Sequence, residues 1–188
     1  MLWGRKMKLN IGCGSNKIEG YINIDEEESV KPDLVLDILE KRLPYEDNSV
    51  EEILFFHCIE HVRKVYHDAI LTEFYRVLQP DGKIYISYPN FIRCVQQWQR
   101  AVGRQKMFFE NTIYGRQLYP ADYHVAIMDP DELAERLGRC GFGKIVSKPE
   151  PKESYNFITF AQKCGTKVDQ YEDLIAQDVK NTVIKEIK

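Results

Sequence analysis

The sequence predicts an α/β fold: a doubly wound, mostly parallel seven-stranded sheet with helices on both faces. Three observations predict it. Short apolar runs alternate with loops and helix-period segments along the chain. A glycine turn, Gly12-Cys13-Gly14, follows directly on the first apolar run. Helix-ending and helix-starting signals, Pro80-Asp81-Gly82 and Asp129-Pro130-Asp131, fall between runs. Right-handed crossovers turn such an alternation into a doubly wound sheet, with the ligand expected at the carboxyl ends of the strands.

The elements follow in order. Lys8–Ile11 reads as a strand that ends in the glycine turn, and Tyr21–Asp25 as a second. Leu34–Asp37 is a short apolar third strand and Val50–Phe56 a fourth. From about Tyr66 to Leu78, Ile70, Leu71, Phe74, Val77 and Leu78 recur at helical spacing. Lys83–Tyr88 alternates as a fifth strand. Asp129 is placed to cap a helix with Pro130 in its first turn and Gly141 at its end. Ile145-Val146 and Phe157–Ala161 close the sheet.

Composition bounds the function. With 188 residues, 44% hydrophobic and 29% charged, the chain suits one globular domain with its own core. No apolar run approaches the ~18 residues of a membrane span, and Met1–Lys6 holds no secretory apolar region, so a cytoplasmic protein is expected. A net charge of −3 without a dense basic stretch weighs against a nucleic-acid partner. Five cysteines, an odd number with no C-x-x-C pair, read as reduced thiols. After Gly165, Val168, Tyr171, Ile175, Val179, Val183 and Ile187 recur every three or four residues. Residues 165–188 are therefore expected to form an amphipathic helical extension that docks on residues 1–164 or pairs with a second copy.

Two glycines in the first turn let a ligand approach the backbone closely. The third glycine of the dinucleotide fingerprint is replaced by Lys17, which argues against NAD or FAD. Asp25 stands 11 residues after Gly14, where a carboxylate can accept from both hydroxyls of a ribose. The same residue could equally do no more than open a turn.

Leu9–Gly14, Asn23-Ile24-Asp25, Asp37, Leu43–Glu51, His57–Val62 and Glu73–Lys83 together resemble the Rossmann-like, class I S-adenosylmethionine-dependent methyltransferases, and among them short predicted bacterial and phage methyltransferases. The resemblance spans about residues 8–163. It implies the Rossmann-like methyltransferase fold and S-adenosylmethionine as cofactor. It implies that Gly12, Cys13 and Gly14 cradle the methionine and ribose, and that Asp25 binds the ribose hydroxyls. Asp37 and Ile38 would sit beside the adenine, and His57 and Cys58 would flank the sulfonium. Asn10 stands where the family usually carries an acidic residue, and would meet the cofactor's ammonium through its carbonyl oxygen. The first helix looks shortened, because only Ser15–Gly20 separate the first two strands.

Methyl transfer from a sulfonium needs in-line positioning and a dry site; a hydroxyl acceptor also needs a base or a metal. Tyr119–His124 sets Asp122 two residues before His124, an acid beside an imidazole, so His124 is the first candidate base and His57 the second. The plainer reading is a packed loop with a solvent-facing histidine. Residues 103–128, rich in aromatics, are expected as an acceptor lid. No metal is assigned; the alternative set is His57, Glu60 and His61, similar to the Glu-x-x-Glu-His site of ubiquinone-pathway and small-RNA O-methyltransferases, with His57 in place of the first Glu. Arg93, Arg100, Arg104, Lys106 and Arg116 could bind an anionic acceptor, or simply form a solvated helix face. The reading preferred is methyl transfer to a small molecule, to an oxygen of a sugar or nucleotide sugar in polysaccharide biosynthesis. An N-methyltransferase and a methyltransferase-like scaffold without turnover stand beside it.

Overall fold

In a computed structural model of the chain, residues 7–164 are described. The expected C-terminal helix, and any pairing through it, lies outside them. Seven strands form one sheet: β1 (Met7–Ile11), β2 (Ile22–Asp25), β3 (Leu34–Val35), β4 (Val50–Phe56), β5 (Leu78–Pro89), β6 (Phe142–Pro149) and β7 (Asn156–Lys163). Their order is β3-β2-β1-β4-β5-β7-β6, with β7 antiparallel to both neighbours and every other pairing parallel. The central strands are apolar because both of their faces are covered. Leu9, Ile11, Ile53, Phe55, Ile84 and Ile86 are all but inaccessible to solvent.

Among the described residues four α-helices accompany the sheet: α1 (His67–Val77), α2 (Phe91–Arg100), α3 (Arg104–Tyr114) and α4 (Pro130–Arg139). All of α1 except Asp68 is buried. Its Phe74 meets Phe55 of β4 edge-on, with ring centroids 5.2 Å apart. α4 buries Leu133 and Leu137, and its charged face reaches α1 through Arg136 and Arg139, both paired with Asp68. Asp129 caps α4 by accepting from the Asp131 and Glu132 amides, as its sequence position predicts.

Two features differ from the sequence reading. No α-helix joins β1 to β2, β2 to β3 or β3 to β4: loops and a 3-10 turn, Glu28–Val30, make these connections. The ten residues between Ile11 and Ile22 are too few to cross over a sheet with a helix. The second difference is α2 and α3, for which the sequence reading has no element. α2 sets Phe91, Cys94, Val95 and Trp98 at helical spacing, though only Cys94 is buried, whereas α3 buries no residue. Asn90 caps α2, its side chain accepting from the Arg93 amide, and Trp98 ties α2 to α3 through Glu110.

Candidate active site

The chain reverses direction across the sheet between β1 and β4, and a crevice opens beyond the carboxyl ends of β1, β2 and β4. A cavity of about 600 Å³ fills it. β1 delivers Ile11, Gly12 and Gly14; β2 delivers Asp25; β4 delivers Phe55, His57 and Cys58. Gly12 has φ +65°, and a Cβ on it would overlap the Cys58 sulfur. Its glycine is therefore required by the neighbouring strand end as well as by the turn. At Gly14 a Cβ would meet nothing within 4 Å, so the turn opens onto free space there.

The residues at this end fit S-adenosylmethionine. The Gly14 amide donates to Asp25 Oδ2 (2.7 Å) and the Glu27 amide to Oδ1 (2.9 Å). Both carboxylate oxygens are thus held in place, and each keeps a lone pair for a ribose hydroxyl. Asp37 is fixed in the same manner, with Oδ1 accepting from the Leu39 amide at 2.7 Å. Val30, Leu36, Ile38 and Leu39 supply apolar walls beside it for an adenine ring. Cys58 points its thiol at the carbonyls of Gly12 (3.3 Å) and Phe56 (3.2 Å), and burial pushes its pKa far up. It is a neutral packing group, not a nucleophile.

At the other end stand His57, His61, Val62, Tyr119 and Ala121. His57 takes a left-handed conformation, φ +51°, while its amide extends the ladder to the Ser87 carbonyl (2.9 Å). That turn swings the imidazole over the cavity, a strain typical of functional positions. Its Nδ1 lies 3.3 Å from Glu60 Oε1, and its Nε2 lies 3.2 Å from Ser87 Oγ, which donates onward to Glu150. Burial lowers its pKa, but the hydrogen bond and charge of Glu60, with Glu150 and Glu153 behind, outweigh this and leave it raised.

Several expected site residues lie elsewhere. Asn10 is buried beneath the turn, its amide donating to Asn16 O (3.0 Å) and Asn23 Oδ1 (2.9 Å); neither it nor Cys13 lines the cavity. Asp122 does not orient His124. It pairs with Arg116 (3.1 Å) and accepts from the Leu118 amide, contacts that hold its carboxyl below the ordinary range although burial opposes them. His124 is also off the cavity, packed edge-on against His61 with centroids 4.7 Å apart, and burial lowers its pKa. The alternative metal set does not converge as written: the residues whose donor atoms cluster are Glu60, His61 and His124, while His57 spends its Nε2 on Ser87. Of the aromatic segment 103–128, only Tyr119 and Ala121 reach the cavity; Phe108 and Phe109 pack on Tyr155. Among the described residues no arginine or lysine lines it. Arg116 is paired, Arg93 lies over the Phe157 ring, and Lys106 over the Trp98 ring. Ser87 and Glu150 are the contributors that sequence reasoning missed. Nothing local marks them; they meet His57 only because β4 and β5 are neighbours and β6 ends nearby.

Comparison with known proteins agrees with this geometry. Residues 18–86 match the model of a family described as a methyltransferase domain. No curated protein matches the sequence. Among solved structures, a SAM-dependent methyltransferase from Archaeoglobus fulgidus superposes with a TM-score of 0.62 at 16% identity, over 84% of this chain and 86% of that one. One from Methanosarcina mazei gives 0.57 at 17% identity, over 87% and 95%. Phosphoethanolamine N-methyltransferase 2 of Haemonchus contortus, in complex with phosphomonomethylethanolamine and S-adenosylhomocysteine, gives 0.55 at 14% identity, over 86% of this chain and 49% of that one. The shared feature is the Rossmann-like fold, a seven-stranded, mostly parallel sheet with its helices.

Proposed function

We propose, for a chain that is a class I S-adenosylmethionine-dependent methyltransferase, that the methyl group passes to a small uncharged acceptor, an oxygen of a sugar. The cofactor's sulfonium supplies the methyl group and leaves as a neutral thioether. The chain's own work is then to orient the acceptor, exclude water and take up a proton. The observation that carries this reading is the lining of the cavity by the described residues: carboxylates at one end, His57 at the other, and no lysine or arginine among them. His57 stands at the acceptor end with Nδ1 held by Glu60 and Nε2 held by Ser87. It receives the proton of the acceptor hydroxyl on Nε2 once the acceptor displaces Ser87 from that nitrogen. Tyr119 and Ala121 close the site from the lid segment.

The missing cations bear on the choice of acceptor. A nucleotide sugar carries a diphosphate, and among the described residues no arginine or lysine lines the acceptor end to pair with it. A neutral amine needs no such pairing and less help from a base. An N-methyl acceptor is therefore the second reading, in line with the Haemonchus contortus neighbour's bound phosphomonomethylethanolamine in its amine though not in its phosphate.

Two measurements test this. Calorimetric titration of S-adenosylhomocysteine should show binding that Asp25→Ala weakens by about 1–3 kcal/mol, because ribose hydroxyls lose their acceptor. An unchanged dissociation constant would remove Asp25 from the cofactor site. Label transfer from methyl-tritiated S-adenosylmethionine should then appear on neutral sugars and fall at least tenfold in His57→Ala. Transfer to amines alone would establish the second reading, and equal transfer by His57→Ala would remove His57 from catalysis.

A further inference from the structure

The 3-10 turn Ile59–His61, just past β4, holds Glu60 and His61, and the segment Tyr123–Ala126 is laced directly onto it. The Glu60 carbonyl accepts from the amides of Val125 (2.9 Å) and Ala126 (3.1 Å). His61 Nδ1 donates to the Tyr123 carbonyl at 3.0 Å, which leaves the lone pair of its Nε2 for a ligand. These bonds fix His124 across the turn although 63 positions separate it from His61 in sequence. One donor atom from each of Glu60, His61 and His124 lies within 4.8 Å of the other two.

Glu60 gives the cluster its meaning. The residue is 2% exposed, and its Oε2 has no hydrogen-bond partner. A buried carboxylate oxygen without a donor is costly, and a natural fold seldom leaves one without a reason. Glu60 and His124 together line a second cavity of about 10 Å³, roughly one water-sized sphere. His61 lines the large cavity and not this one, so the three side chains span the two.

We propose that Glu60, His61 and His124 bind one divalent transition-metal ion, zinc or a neighbour such as iron(II), cobalt or manganese. Two imidazoles and one carboxylate are borderline ligands that prefer these ions to magnesium or calcium. Ligands on one such ion stand roughly 3–3.5 Å apart, so the three donor atoms, now within 4.8 Å of one another, draw closer on binding. His57, hydrogen-bonded to the other Glu60 oxygen, orients the carboxylate without joining the set. Because His61 also lines the large cavity, the ion sits at its acceptor end, with positions open towards a bound molecule. The site stands on this geometry and does not depend on which acceptor is methylated.

The test is titration of the chelator-treated full chain with Co²⁺, followed by displacement with Zn²⁺. One equivalent should bind and give visible d–d absorption, and Zn²⁺ should abolish it. His124→Ala and His61→Ala should each weaken binding at least tenfold, whereas Cys164→Ser, at an exposed thiol, should leave it unchanged. Where an alanine variant fails to fold, His124→Asn replaces it. S-adenosylhomocysteine titrated into the same samples separates the two sites. Intact cofactor binding with no Co²⁺ uptake overturns the metal site alone. Uptake that survives both histidine substitutions overturns it too, as adsorption elsewhere.

Discussion

At the scale of single residues, the first turn shows how one atom's absence is demanded twice. Gly12 carries φ +65°, and its missing Cβ leaves room for the Cys58 sulfur. Gly12→Ala should cost about 1–2 kcal/mol for the left-handed backbone, plus the overlap with sulfur. In a Cys58→Ala background the overlap part should be recovered and the backbone part should remain. Urea unfolding of the four proteins measures both; an identical loss in the two backgrounds would show that the sulfur exerts no pressure. The sequence showed the two glycines but not their divided duties, since Gly12 and Cys58 are 46 positions apart. Asp25 was legible, because it stands at the end of the strand beside the turn. Asn10 was misplaced: it sits on β1 just before the turn, but its amide points into a polar knot with Asn23 and Asn16.

At the scale of elements, α1 is held by more than apolar contact. Arg76 and Glu73 are both buried, and they pair through two bonds, Nε to Oε2 (2.8 Å) and a terminal nitrogen to Oε1 (2.6 Å). Arg76 also donates to the Tyr45 and Leu43 carbonyls and to Asp47, while Glu73 accepts from the Leu43 amide. The pair therefore clamps the loop before β4 onto the helix that follows it. Arg76→Met alone should destabilise by about 3–5 kcal/mol, because Glu73 is left charged and buried. The double variant Glu73→Leu with Arg76→Met should recover much of that loss. A single-variant cost below about 1 kcal/mol in denaturant unfolding would contradict the clamp. α1 itself was readable from apolar spacing. α3 was not, because a helix that buries no residue needs no apolar stripe; α2 does carry local signals, the cap Asn90 and the spacing of Phe91, Cys94, Val95 and Trp98, in a segment of only ten residues.

At the scale of the whole molecule, His67 links the 3-10 turn behind the site to the start of α1. Its Nε2 donates to the carbonyls of Ile59 (3.1 Å) and Val62 (2.9 Å), and its buried Nδ1 has no partner. Burial holds its pKa below the ordinary value, and Arg136 adds to this; the two carbonyls and Glu132 oppose. A histidine with a depressed pKa is neutral in the fold but takes up a proton when unfolded. Its contribution to stability is therefore complete above pH ~6.5 and declines as pH falls from that value towards the lower folded pKa. Urea midpoints should drop between pH 7 and 5, and His67→Gln should flatten that drop. A wild-type midpoint independent of pH over this range would refute the assignment.

By itself the sequence determined the strands, their order along the chain, the helix α1, the capped helix α4 and the glycine turn with Asp25 at the end of the neighbouring strand. These depend on local spacing and on turn chemistry, which neighbouring residues fix among themselves. Only the tertiary structure decided who meets whom at the acceptor end. Ser87 and Glu150 reach His57 through strand adjacency, and backbone hydrogen bonds from a segment 63 positions away carry His124 to Glu60 and His61. A pairing between distant segments is set by sheet order and by the burial of polar groups that must find partners, and neither is written in any short stretch of sequence.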